Sequence, residues 1–111
     1  MRSKSEKIIA DKLYSLGIAY RYECQLKLAG NVILHPDFTI LKMPERKEVY
    51  LEHLGMLDDG EYVDGAIWKL NVFEKNGIYL GERLFLTHET GKHPLNMRTL
   101  DGMLRAWFLE E

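Results

Sequence analysis

The tightest constraint in this sequence is the alternation over residues 20–28. Tyr20, Tyr22, Cys24, Leu26 and Leu28 fall on one side of an extended chain, and Arg21, Glu23, Gln25 and Lys27 fall on the other. That period of two is the pattern of a half-buried strand. Ala29-Gly30-Asn31 is a turn signal, and a second extended segment follows at 32–41. Pro36 inside it argues for an edge, a bulge or a break in the ladder, because proline has no N–H to donate. After a polar loop from Lys42 to Lys47, a third strand reads at 48–54. Connections this short join strands antiparallel, so the first half of the chain folds as a meander.

Helices flank these strands. Ser3 and Glu6 have the spacing of a capping box, Ile9, Leu13 and Leu16 follow at helical spacing, and Gly17 stops a helix over 3–16. Asp58-Asp59-Gly60 starts a second helix over 61–76, which Asn76-Gly77 ends. A fourth strand at 83–88 follows, and a helix between two strands implies a parallel crossover. Residues 97–109 form a last helix with Met97, Leu100, Leu104, Trp107 and Phe108 on one side. The order is αβββαβα: an α/β fold, or α+β sandwich, with helices around a mixed sheet.

The length of 111 residues suits one domain spanning 1–111, and the composition, 46% hydrophobic and 29% charged, is that of a globular chain. No apolar run approaches the ~18 residues of a membrane span. The N-terminus has basic residues but no apolar segment behind them, so it is not a secretory signal. Cys24 is the only cysteine, which excludes an internal disulfide and a cysteine zinc cluster and makes a cytoplasmic setting the default. His35, His53, His88 and His93 lack the spacing of a helical zinc site, and no glycine-rich phosphate loop is present. The 15 Lys+Arg against 17 Asp+Glu give a net charge of −2, which does not advertise nucleic acid.

Two acids stand in the middle of strands. Asp37 lies in Ile33-Leu34-His35-Pro36-Asp37-Phe38-Thr39-Ile40, and Glu52 in Val49-Tyr50-Leu51-Glu52-His53-Leu54. If Leu41 opposes Glu48, then Thr39 opposes Tyr50 and Asp37 opposes Glu52. Both carboxylates then project from one face, roughly 5 Å apart at Cβ. Like charges that close repel unless a cation sits between them, and a hard divalent cation suits oxygen ligands. The bland alternative is two solvent-facing acids on an exposed sheet face.

The runs Ser5-Glu6-Lys7-Ile8-Ile9-Ala10, Tyr20-Arg21-Tyr22-Glu23, Pro36-Asp37-Phe38-Thr39-Ile40, Glu52-His53-Leu54-Gly55-Met56 and Asn76-Gly77-Ile78 together cover roughly residues 3–90. In that order and on those elements, the chain resembles the PD-(D/E)XK nuclease superfamily, in particular its small bacterial domains with a PDFTI strand and an EHLGM-type strand end. The resemblance implies a restriction-endonuclease-like αβββαβ core and hydrolysis of DNA phosphodiesters with Mg²⁺ or Mn²⁺. It implies Asp37 and Glu52 as metal ligands, the His53 backbone carbonyl as a further ligand, and Glu6 as the first-helix acid that assists the site. The sequence departs from the motif at Leu54, where the superfamily has its lysine.

Some members carry that lysine on the following helix, and Lys69 is the candidate. Tyr62, Val63, Ala66, Ile67, Leu70 and Phe73 make one apolar arc at 100° per residue, with Lys69 at its border and Lys75 well away from it. Lys69 either extends its ammonium to the carboxylates or snorkels at the helix flank. Glu6 caps its helix, serves the site, or does both. Thr87 and Glu89 are candidates for the site rim. His53 reads as packing or hydrogen bonding, His35 as a surface residue, Cys24 as core, and Trp68 and Trp107 as packing or interface.

The implied reading is therefore a metal-dependent nuclease acting on DNA, with RNA left open, as a homodimer or joined to a helicase or DNA-binding domain, and with no membrane partner. Its rival is a degenerate nuclease domain that, with Leu54 in place of the lysine, acts as a DNA- or protein-binding module. The low net charge gives little general grip on a phosphate backbone. A basic face from Arg2, Lys4, Lys7 and Arg21 would have to compensate locally.

Overall fold

The computed structural model describes residues 3–109; Arg2 falls outside them. Helix α1 (Lys4–Ser15) starts at Ser3, whose hydroxyl oxygen accepts the Glu6 N–H at 3.1 Å. It ends before Gly17, which takes φ +73°, the left-handed turn that glycine adopts at least cost. Ile9, Ala10 and Leu13 form its buried face.

The first two strands read from sequence each break in two. The segment 20–28 becomes β1 (Tyr20–Tyr22) and β2 (Leu26–Leu28), and 32–41 becomes β3 (Val32–Leu34) and β4 (Phe38–Lys42). Two causes act together. Glu23 adopts φ +50°, which turns the chain out of the sheet. On the facing segment, one residue before Asp37, Pro36 interrupts the ladder, as its missing N–H predicts. The breaks meet where the Glu23 N–H donates to the Asp37 carbonyl at 3.0 Å. Beyond that neck, β2 and β3 leave the main sheet and pair only with each other, Lys27 opposite Ile33.

The main sheet has the order β1-β4-β5-β6, with β5 (Lys47–Leu54) and β6 (Leu84–His88). β1 and β5 flank β4 antiparallel, and β6 runs parallel to β5 across helix α2 (Gly60–Lys75). The meander and the parallel crossover are thus as the spacing predicts. So is the register: Leu41 faces Glu48 and Thr39 faces Tyr50.

Each sheet face has its own core. On one, α1 and α3 (Met97–Phe108) bury Ile9, Leu13, Phe38, Ile40, Leu51, Leu104 and Phe108. On the other, α2 and the β2–β3 hairpin bury Leu34, Tyr50, Phe73, Ile78 and Leu84. β5 lies between the two, buried continuously from Val49 to His53, which is why charged Glu52 ends up in the interior. Because of the break at Glu23, Tyr20 and Tyr22 pack on the first core while Leu26 and Leu28 pack on the second. Cys24, between them, is half-buried rather than core.

The inward face of α2 is rotated from the arc read in the sequence. Phe73 is buried and Tyr62, Ala66, Lys69 and Leu70 are half-buried, whereas Ile67 and Trp68 are 50% and 59% exposed. Ile67 therefore leaves the packed face and Lys69 joins it. No helix among the described residues is long and apolar enough to cross a membrane.

Candidate functional site

The break in the second extended segment aims Asp37 at the end of β5. Asp37 Oδ2 accepts the His53 backbone N–H at 2.8 Å, so the register carries past the last ladder pair and sets Asp37 beside Glu52. Glu52 is 4% exposed. Lys69 reaches down from α2 to it: Nζ lies 3.0 Å from Oε2, as a hydrogen bond, and 2.5 Å from Oε1. Oε1 is fully buried and takes the charge contact without an aligned hydrogen. The Lys69 ammonium also donates to the His35 carbonyl at 3.3 Å, tying α2 to the chain just before Pro36.

Glu6 closes the site from α1. Its Oε1 accepts from the Tyr22 hydroxyl at 2.5 Å and its Oε2 from the Ser3 hydroxyl at 3.2 Å, so it caps the helix and faces the cleft at once. Tyr62, in the first turn of α2, has a hydroxyl that accepts the Gly55 N–H at 3.1 Å and donates to the His53 carbonyl at 3.2 Å. Glu6, Asp37, Glu52, Tyr62 and Lys69 line one cleft of about 370 Å³. The sequence reading of the site missed Tyr22 and Tyr62. In sequence Tyr22 stands as an inward strand residue within the Tyr20-Arg21-Tyr22-Glu23 run, and Tyr62 as part of an apolar helical arc, with no site role given to either.

The electrostatics follow from burial. Burial raises the Glu52 carboxyl from 4.5 to about 7; the nearby Asp37 charge adds to this and Lys69 opposes it. Asp37 is raised chiefly by burial, against the pull of the His53 N–H. Tyr22 is raised by burial and by its bond to Glu6. Between pH 4.5 and 7, folded Glu52 holds a proton that the unfolded chain has released, so its contribution to stability falls as pH rises through that window. Metal-free protein is expected to lose on the order of 1–3 kcal/mol across it relative to Glu52→Gln, which cannot titrate. Thermal melts of both proteins at pH 5 and 7.5 check this; parallel pH profiles would contradict it.

The donor chemistry suits a hard cation. Asp37, Glu52 and the His53 carbonyl offer only oxygen, and Mg²⁺ commonly takes one or two carboxylates with water completing its shell. Glu52 Oε1 makes no aligned hydrogen bond but already meets the Lys69 ammonium, so it is the oxygen-only donor set that fits such an ion. No group of three or more His, Cys, Asp or Glu side chains converges as a metal site among the described residues. The fit therefore rests on two carboxylates and a backbone carbonyl.

Other candidates fall elsewhere. Thr87 is buried and Glu89 half-buried; both bond to His53, on the far side of β5 from Glu52. The Glu89 carboxyl loses something to burial, but hydrogen bonds from Ser5, His53 and Leu95 outweigh this and hold it below its usual value. His35 is exposed, and Trp107 packs on Phe85 with a centroid distance of 5.1 Å. Lys4, Lys7 and Arg21 are exposed.

Compared with solved structures, the full chain superposes on part of a DrdV–DNA complex determined by cryo-electron microscopy. The TM-score is 0.54 at 18% identity, with 100% of this chain covered. At that identity the likeness is one of fold, and the chain spans only 12% of the length of the matched chain. No protein-family model matches the sequence, and no curated protein matches it.

Proposed function

We propose that this chain is a metal-dependent nuclease of the PD-(D/E)XK type that hydrolyses DNA phosphodiester bonds, working as the cutting domain of a larger DNA-processing protein. The observation that carries the reading is the meeting of Lys69 with Glu52 at 2.5 Å, with Asp37 alongside in the same cleft. A lysine from the following helix thus reaches the place that Leu54 leaves unserved. The fold likeness to a protein in complex with DNA supports the same reading, as does that protein's much greater length.

Asp37, Glu52 and the His53 carbonyl would hold Mg²⁺ or Mn²⁺. When bound, such an ion supplies Lewis acidity and a more acidic water. The chain's own residues do the positioning. The His53 N–H fixes one oxygen of Asp37. Tyr62 holds the bend that carries the His53 carbonyl. Tyr22 holds Glu6 toward the cleft. Lys69 has three N–H donors; Glu52 and the His35 carbonyl take two, which leaves one for a phosphate oxygen. That donor stabilises the charge that builds on the phosphate in the transition state.

The test is cleavage of plasmid and labelled oligonucleotides with and without Mg²⁺ or Mn²⁺. Lys69→Met is expected to lower kcat on the order of 10²–10³-fold, with KM for DNA within a few fold. Its stability should fall by less than the full cost of an unpaired buried charge, because Glu52 protonates readily. DNA binding without cleavage under any metal would instead establish the binding-module reading.

A further inference from the structure

We propose that the His53 side chain, clamped by Thr87 and Glu89, is a positioning device that sets both the Asp37 carboxylate and the His53 carbonyl from the opposite side of the strand; this rests on the nuclease reading of the site. The imidazole is buried at 4% exposure. Nε2 lies 2.7 Å from Glu89 Oε1, and Nδ1 lies 2.7 Å from Thr87 Oγ1. A carboxylate only accepts, so Nε2 carries the proton toward Glu89.

Both clamping residues come from the end of β6 and the residue just beyond it, the strand that pairs His53 with Thr87 in register. Glu89 is itself held: Oε2 accepts the Leu95 N–H at 3.3 Å, and its own N–H donates to the Leu54 carbonyl at 3.0 Å. The ring is also boxed in at Gly55, where a Cβ would stand 3.3 Å from His53 Cδ2.

A ring fixed at both nitrogens leaves the His53 backbone one orientation. In that orientation its N–H meets Asp37 Oδ2 at 2.8 Å and its carbonyl meets the Tyr62 hydroxyl at 3.2 Å. Side chain and backbone of one residue thus connect β6 to the two groups that the cleft uses from β4 and β5. Partners of this kind typically change metal affinity or activity 10–100-fold when removed.

The experiment compares Thr87→Val, which keeps the shape and loses the hydroxyl, with Thr87→Ser, which keeps the hydroxyl, and with Glu89→Ala. Three quantities are read: amide hydrogen exchange at His53 against Val49 and Leu51 of the same strand, Mn²⁺ affinity by calorimetry, and kcat against KM on DNA. Thr87→Val and Glu89→Ala are expected to speed His53 exchange about 10-fold while Val49 and Leu51 stay protected. They are also expected to weaken Mn²⁺ binding and lower kcat about 10-fold at unchanged KM, with Thr87→Ser near wild type.

Unchanged His53 exchange and Mn²⁺ affinity in Thr87→Val and Glu89→Ala would overturn the proposal. So would a uniform rise at His53, Val49 and Leu51, which marks a purely structural role. If Glu89→Ala fails to fold, the threonine pair decides alone. If the wild type neither binds Mn²⁺ nor cleaves DNA, the nuclease reading fails, and the exchange data still decide whether the clamp positions the Asp37 contact.

Discussion

Asp37→Asn is expected to keep the fold and lose DNA cleavage by roughly 10³-fold or more. Asparagine still offers an oxygen to the His53 N–H, so the contact at 2.8 Å that pins the strand end survives. What goes is the negative charge that would anchor a cation opposite Glu52. A loss of about 4 kcal/mol of transition-state stabilisation, the scale of a Lewis-acid contribution, is about 10³ in rate. Glu52→Gln should do the same, and without the burial cost of a carboxylate it should fold at least as stably as wild type at pH 7.5. Cleavage assays beside circular dichroism melts check both. Full activity in either variant would place the chemistry elsewhere or expose a contaminating nuclease.

Phe38→Ala is expected to cost about 3–5 kcal/mol of stability, near the top of the range for one core truncation. Phe38 has no exposed surface, and Tyr20 and Tyr22 meet its ring edge-on at 5.7 and 5.6 Å. Such pairs add to the area term, and both would be lost with the ring. The melting temperature should fall by roughly 12–25 °C, as calorimetry would show; a fall of only a few degrees would mean the first core repacks around the gap. Phe38 also follows Asp37 directly and Tyr22 holds Glu6, so a folded Phe38→Ala protein should cleave DNA less well than its stability alone accounts for.

Much of this arrangement is legible in the sequence because it is local or periodic. Ser3 and Glu6 mark the start of α1, Asn76 and Gly77 the end of α2, and the alternation around Asp37 and Glu52 gives a register that the ladder reproduces. The breaks in the first two strands are harder to read. Period-two alternation runs through Glu23 undisturbed, since it reports which side chains are shielded and not which layer shields them. Tyr22 and Leu26 look equivalent in sequence yet serve opposite faces of the sheet.

Lys69 lies at the margin of what periodicity resolves. A modest rotation of α2 puts Ile67 outside and the lysine inside, and only packing against the hairpin and sheet fixes that rotation. The sequence marks His53 for packing or hydrogen bonding and Thr87 and Glu89 for the site rim, but not their pairing, because the partners stand 34 and 36 residues away.

The neck between Glu23 and Asp37 has a bearing on how such a chain can diversify. The excursion from Gln25 to Pro36 leaves and rejoins the sheet at one hydrogen-bonded point, and its turn, with Gly30 at φ +74° and Asn31 at φ +61°, sits at the far tip. The Ala29 N–H at that tip donates to the Asn76 side chain at the C-terminal end of α2, well along the helix from Tyr62 and Lys69, so residues added there would extend the chain away from the carboxylates. Length at the tip can therefore vary while the carboxylates stay where β4 and β5 put them.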